Sequence, residues 1–405
     1  MTALDPRETR SADAREAALM QAMRDIVEGA RHNTVHYRTT LTQVDPSTLR
    51  SREGLAALPI LRKSDLIALQ EEEPPFGGLA SDGTAAMARL FLSPGPIAEP
   101  QTNVAGDGWR FSRALRAAGI GPGDIVQNCF SYHLTPAGFM MDSAVRAVGA
   151  TVFPGGVGQT ATQVEAMRRF GVTAFVGTPD YLRTIMEAAD EEGLPIQTVG
   201  KAMVSGGPLF PALREWYTAR DIRVQQAYGT ADVGMISYET EAMEGMVIDE
   251  DVIVEIVRPG TSDPVEEGAV GEVVVTTFDP LYPMIRFATG DLSKILPGCC
   301  PTGRTNMRLA GWMGRADQTT KVKGMFVHPE QIARVAKAHG LNRVRLEVTE
   351  NEGRDRMTLL CEGEGDAEAV AGTMHRECRL RGDVRFIGTE TLPNDGKVID
   401  DRRAL

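Results

Sequence analysis

Several short glycine-flanked segments in this 405-residue chain place reactive side chains where a ligand could meet them. Ser93-Pro94-Gly95-Pro96 follows a short apolar run at 88–92, and a helix start is expected near Thr102. A strand, a glycine turn and a helix start in that order suggest an anion site. Asp291 follows Gly290 in Thr-Gly-Asp-Leu, either as a carboxylate fixed at a strand end or as an ordinary turn residue. Arg315 offers a fork of fixed donors suited to phosphate or sugar oxygens. Lys397 follows Gly396 on a late loop; a lysine there is either a surface charge or a group that reaches a site.

The elements that must position these residues read as mixed α/β layers. An amphipathic helix lies within the first thirty residues, and Leu58–Gln70 reads as a Pro-bearing entry, a Ser64 N-cap and a short helix. A Pro/Gly-rich loop, 74–83, follows. Strands are expected in "GDIVQNCFSY", "GATVFPGG", "VTAFVGTP" and "KAMVSGGP", each followed by a turn and, except for the last, a clear helix. This is the cadence of a largely parallel sheet, which binds ligands beyond the carboxyl ends of its strands. From 247 to 296 the pattern becomes β-branched, with Pro-Gly and Glu-Gly turns, and suggests an antiparallel or barrel-like section. Beyond it come helix, strand, turn, strand, helix, strand, a small α+β domain. The expected domains are 1–316 and 317–405.

Forty-three Lys and Arg against 55 Asp and Glu leave a formal charge of −12, which opposes adhesion to nucleic acid or anionic membrane. No secretion signal and no membrane span is read, because the most apolar stretch, 139–158, is broken by Asp142, Arg146 and several glycines. The five cysteines form an odd set with no framework spacing, so the expected compartment is a reducing cytoplasm. A homodimer is the base-rate expectation for assembly.

Six segments, in order and spacing, resemble the phenylacetate–CoA ligase branch of the adenylate-forming superfamily across nearly the whole chain. They are "SPGPIAEP" (93–100), "SGGP" (205–208), "AYGTADVG" (227–234), "MIRFATGDL" (284–292), "GRADQTTKVKGMFVHPEQI" (314–332) and "LPNDGKVIDDRR" (392–403). The resemblance implies ATP, Mg²⁺ and coenzyme A as partners of a small carboxylic acid: an acyl-adenylate and pyrophosphate form, and a thiol then attacks the mixed anhydride. Catalysis of that kind rests on electrostatic stabilisation and positioning.

On the same grounds Asp291 takes the ribose hydroxyls and Arg315 bridges ribose or phosphate oxygens. Tyr228 stacks on adenine, with Gly229 beside it, and Thr230 contacts the α-phosphate. Asp232 takes the magnesium-binding carboxylate position, which most relatives fill with Glu; Asp is one methylene shorter, so coordination through water is expected ahead of direct coordination. Ser205, Gly206, Gly207 and Pro208 pass alongside the adenine, glycines permitting close approach. Ser93 and Gly95 belong to the phosphate loop. Lys397 neutralises the carboxylate and α-phosphate during adenylation and departs when the small mobile domain swings about Asp317. Lys323 meets the thiol partner's phosphates. Phe130, Tyr132, His133, Gly155 and Gly156 form the acyl pocket, with no chemical role for His133.

Two departures stand out. The phosphate loop carries Pro94 and Pro96, which lack backbone donors, Ile97 and Ala98, which lack hydroxyls, and Glu99 where a lysine is common. At the positions where relatives hold a structural zinc, this chain has Thr240, Met246, Cys300 and Thr302, so no structural zinc is expected. Cys299 and Cys300 read as loop residues, an adjacent bridge being strained. The leading expectation is an ATP-dependent acid–CoA ligase for an aryl or arylacetic acid. The alternatives are an adenylating enzyme that transfers to a carrier protein or other nucleophile, and a nucleotide- or acyl-CoA-binding homologue that has lost adenylation.

Overall fold

The computed structural model describes residues 5–93, 96–102, 106–207, 209–318, 320–322, 325–351, 354–393 and 397–403. The chain divides into two compact units, one made of 1–289 with 294–311 and the other of 290–293 with 312–405.

In the first unit, five parallel strands lie in the order Thr151–Pro154, Ile125–Asn128, Ala174–Gly177, Lys201–Val204 and Arg223–Thr230. Their two faces are buried by different helices. Val126, Val176 and Met203 pack with Leu115, Met140 and Val145 from the helices Ser112–Ala117 and Ala137–Ala147. Phe175, Ala202 and Val204 pack with Val164, Leu182 and Tyr217 from the helices Thr160–Phe170, Pro179–Glu191 and Pro211–Thr218. A sheet covered on both faces explains why its strands read as continuous apolar runs. Each fully buried Val, Leu or Phe contributes about 1.5–3 kcal/mol. From Ile125–Asn128 the chain first moves to the outer side of the sheet and then returns to the opposite side at Ala174–Gly177. That reversal opens a crevice at the carboxyl ends of these strands, where α/β sheets take their ligands.

Four antiparallel strands extend the same sheet: Gly234–Glu239, Met246–Ile248, Arg308–Leu309 and Ile295–Leu296. The β-branched stretch contributes to a separate four-stranded sheet, ordered Leu61–Arg62, Phe287–Ser293, Gly271–Thr277, Val252–Val257. The helix Ala12–Asn33, capped by Ser11, buries Leu19, Met23, Ile26 and Ala30 in the core that this sheet shares.

Local expectations needed correction at four places. Ser64 lies inside a 3-10 turn, Lys63–Asp65, and Asp65 rather than Ser64 stands at the N-cap of Leu66–Glu72. The helix expected near Thr102 begins at Ser112, whose backbone N–H is held by the Asp107 carboxylate at 2.5 Å. Just before Thr102 lies an unanticipated strand, Ile97–Gln101, which runs back against Arg89–Ser93. A helix also follows Lys201–Val204, namely Pro211–Thr218, whose proline sits in the first turn where no N–H is needed.

The second unit holds a four-stranded sheet ordered Asp383–Ile387, Arg354–Glu362, Val344–Asn351, Ile399–Asp401, with a hairpin Thr320–Val322/Met325–Val327. Its helices Pro329–Ala338 and Ala367–Cys378 close a core around Ile332, Val335, Leu346, Leu359, Met374 and Ile399.

Candidate active site

At the carboxyl ends of the parallel strands of the first unit lies a cavity of about 270 Å³. Its body is apolar, lined by Phe111, Phe130, Pro136, Ala137, Met140 and Met141, and its rim carries Lys63, Ser93, Ser205, Gly206, Gly229 and Thr230. Each lining segment is placed by a strand end or a helix start. Phe130 follows the strand Ile125–Asn128, and its backbone N–H is held by Asn128 Oδ1 at 3.1 Å. Met140 and Met141 lie on the helix Ala137–Ala147. Gly206, just past Lys201–Val204, has φ +75°, a conformation that a side chain resists. Gly229 lies so close to the next strand that a Cβ there would sit 2.6 Å from the Gly234 carbonyl oxygen.

Lys63 on this rim joins it to a neighbouring charged cluster. Lys63 Nζ donates to Asp232 Oδ2 at 2.7 Å, across 169 residues of sequence. Glu99, on the return strand Ile97–Gln101, is 2% exposed, and its Oε2 accepts from Ser93 Oγ. Burial first, then the like charge of Asp232, push the Glu99 carboxyl up to about 8. Glu99 Oε1 and Asp232 Oδ1 have no hydrogen-bond partner among the described residues.

The strand Arg223–Thr230 slips register between Tyr228 and Gly229, where it turns toward Gly234–Glu239. Tyr228 Oη donates to Thr289 Oγ1 at 3.3 Å, and Thr289 in turn donates to the Val273 carbonyl. Thr230 Oγ1 accepts from the Val233 N–H at 3.3 Å, which orients the hydroxyl that lines the cavity.

In the second unit, Asp291 Oδ1 accepts from Trp312 Nε1 at 3.1 Å and from Arg315 Nη1 at 3.4 Å. Asp291 and Arg315 also form an isolated backbone bridge. The carboxylate and the guanidinium singled out in sequence are therefore neighbours. Lys397 is half exposed and stands 3.6 Å from Asp400. Its carbonyl accepts from Arg345 Nε at 3.2 Å, and the next two backbone N–H groups, of Val398 and Ile399, are held by Gln318 Oε1. Asp317 lies in the short 3-10 turn Ala316–Gln318 that supplies this glutamine.

Gly95, Pro208 and Lys323 lie outside the described residues, as does Pro94. Tyr132 points elsewhere than the cavity, with its hydroxyl accepting from Asn128 and donating to Asp142. His133 is exposed and does not line the cavity. The carbonyls of Gly155 and Gly156 accept from Gln163 Nε2, and neither glycine lines the cavity. Thr240, Cys300 and Thr302 do come together, Cys300 Sγ lying 3.4 and 3.1 Å from the two hydroxyls. All five cysteines are free. Sequence reading missed Lys63, Phe111, Met140 and Met141; the apolar period of 137–147 was a signal for the two methionines, whereas Lys63 carried none.

Among the described residues no helix is long and apolar enough to cross a membrane. Residues 131–278 match the family model described as AMP-binding enzyme. The phenylacetate–coenzyme A ligase of Aromatoleum evansii is 32% identical over 347 residues, 81% of this chain and 77% of that protein. The enzyme of the same name from Escherichia coli (strain K12) is 30% identical over 82% of this chain and 78% of its own length. Among solved structures, 2-hydroxyisobutyryl-CoA ligase in the postadenylation state, in complex with 2-HIB-AMP, superposes with a TM-score of 0.82 at 24% identity, over 98% of this chain and 91% of that one. That likeness establishes the adenylate-forming fold, and the sequence relatives establish the family. The chain belongs to the phenylacetate–CoA ligase family of AMP-forming acid–thiol ligases.

Proposed function

We propose that this protein activates an apolar, aryl or arylacetic carboxylic acid with ATP and passes the acyl group to coenzyme A. The observation that carries the reading is the cavity of about 270 Å³ at the sheet's carboxyl ends, apolar in its body with two phenyl rings, and bordered by Thr230, Gly206 and Lys63. A carboxylic acid whose body fills that space brings its carboxylate to the polar rim. Among the described residues no charged side chain other than Lys63 lines the space, so an acid with a second charge gains nothing from them.

The carboxylate oxygen attacks the α-phosphorus and pyrophosphate leaves; the thiol sulfur then attacks the acyl carbon and AMP leaves. Thr230, whose hydroxyl accepts from the Val233 N–H, binds the α-phosphate in this reading, and Tyr228 stacks on the base beside Ser205, Gly206 and Gly207. Asp291 accepts the ribose hydroxyls while Arg315 and Trp312 hold its carboxylate in place. Lys397 neutralises the reacting oxygens in the first step, and Asp317 is the hinge for its withdrawal. Asp232, whose buried Oδ1 has no hydrogen-bond partner among the described residues, would hold magnesium ion, which when bound would supply positive charge to the phosphates. At the positions matching the relatives' zinc ligands the one cysteine, Cys300, is met by two hydroxyls, and structural zinc is not expected there. A cytoplasmic homodimer is the proposed setting.

Acid-dependent pyrophosphate release, measured over a panel of acids with and without coenzyme A, tests the reading. Release with aryl acids and thioester formation with coenzyme A support it. Release without thioester favours a carrier-protein acceptor. No release from any acid favours the binding homologue, a reading motivated by the prolines Pro94 and Pro96 in the stretch read as a phosphate loop.

A further inference from the structure

Arg110 has a φ of +72°, in the left-handed region that non-glycine residues seldom occupy and that persists only where the surroundings hold it. Here the surroundings are polar partners on two sides. Arg110 Nη2 donates to the carbonyls of Val233 and Met235, the second at 3.2 Å, and Nε faces Asp249 Oδ1 at 3.4 Å. Asp249 is itself fully buried and held by Arg113 Nη1 at 2.7 Å, so the guanidinium of Arg110 is fixed from behind as well as in front. A backbone bond of 3.0 Å from the Met235 N–H to the Trp109 carbonyl joins the same two segments.

Val233 connects this clamp to the larger cavity. Its carbonyl accepts from Arg110, across 123 residues of sequence, and its N–H donates to Thr230 Oγ1 at 3.3 Å. A hydroxyl that accepts from a backbone N–H keeps its own hydrogen to give, and Thr230 lines the cavity of about 270 Å³. The strand Arg223–Thr230 slips register between Tyr228 and Gly229, just before this residue. Where a ladder is disrupted, contacts from outside it must set the direction of the strand's end.

We propose that Arg110 is a positioning residue for the nucleotide's α-phosphate, given the reading above that Thr230 meets that phosphate. By holding the Val233 carbonyl it fixes the peptide whose N–H aims the Thr230 hydroxyl, and it does so without touching the nucleotide. The strained backbone at Arg110 is the cost of bringing the guanidinium under this turn.

AMP and adenosine differ by that phosphate alone, so the test is their binding to folded full-length protein, measured by titration calorimetry without acid or coenzyme A. Arg110→Met should weaken AMP about tenfold, as loss of a hydrogen bond to a charged group does, and leave adenosine within about twofold. Thr230→Val should do the same, and because Arg110 acts through Thr230 the double variant should bind AMP no more than about twofold weaker than Thr230→Val alone. A guanidinium acting on the phosphate by its own charge, from the small cavity that Arg110 lines with Asp232, would instead make the two losses multiply. Arg110→Gly, which relieves the backbone while removing the same guanidinium, carries the same expectation should Arg110→Met not fold. Unchanged AMP affinity in the folded variant, equal weakening of AMP and adenosine, or multiplied losses in the double variant each overturns the proposal. Parent protein that binds AMP yet releases no pyrophosphate with any acid overturns the acid-activation reading alone; parent protein that does not bind AMP overturns both.

Discussion

Lys63 and Asp232, 169 residues apart, form a 2.7 Å ion pair in which the aspartate side chain is fully buried and the lysine is about a quarter exposed. The lysine comes from a 3-10 turn after a short strand, the aspartate from the turn where the large sheet changes from parallel to antiparallel pairing. The pair thus fastens the segment before the strand Arg89–Ser93 to the segment that carries Tyr228 and Thr230.

Removing Lys63 leaves Asp232 and Glu99 buried together without their cation. Lys63→Met should lower the unfolding free energy of the metal-free protein by about 1–3 kcal/mol, the range for an unsatisfied buried group. Urea unfolding with and without added Mg²⁺ reads this, and Mg²⁺ should restore part of the loss through mass action.

Ala137, at the start of its helix, lines the cavity proposed to take the acyl group. Ala137→Phe puts a ring into a space of about 270 Å³ and should raise KM for aryl acids by about tenfold or more, while small acids and ATP keep their KM. Steady-state kinetics over acids of graded size would show it; a uniform loss for all acids would place the acyl group elsewhere.

Lys397 is half exposed, with an ion pair to Asp400 at 3.6 Å, so its truncation should change stability by less than about 0.5 kcal/mol. The account predicts that Lys397→Ala lowers the rate of pyrophosphate release by about 10²-fold or more and leaves thioester formation from supplied acyl-adenylate nearly intact. Single-turnover measurements of the two half-reactions separate these effects.

Arg286 is fully buried and donates to both oxygens of Glu255 at 3.0 Å and to the carbonyls of Leu58 and Ser262. Arg286→Met strands the Glu255 carboxylate, which burial already pushes above its ordinary range, and should cost about 3–5 kcal/mol. Urea unfolding of the double variant Arg286→Met/Glu255→Met should recover part of that loss.

The parallel sheet was legible because both its faces are covered, which leaves apolar runs such as Ala174–Gly177 bounded by glycine and proline. The strand Arg223–Thr230 was not, because Gln225 and Gln226 interrupt its apolar character. Gln226 is satisfied by Glu239 and by the Leu209 N–H, partners that exist only once the sheet is assembled. Ile97–Gln101 was hidden in the same way: a central Glu and a Pro argue against a strand, and only pairing with Arg89–Ser93 makes one. Asp291 and Arg315 were legible as types and are neighbours 24 residues apart. The Glu99–Asp232–Lys63 cluster was not, since its members meet through tertiary folding with no period or spacing to announce them.

The central claim, that a carboxylate oxygen of the substrate becomes bonded to the α-phosphorus, is tested most directly by isotope transfer. An aryl acid labelled with ¹⁸O in its carboxylate is turned over with ATP and coenzyme A, and the AMP is weighed by mass spectrometry. The account predicts AMP carrying one ¹⁸O; thioester formed alongside unlabelled AMP would contradict it.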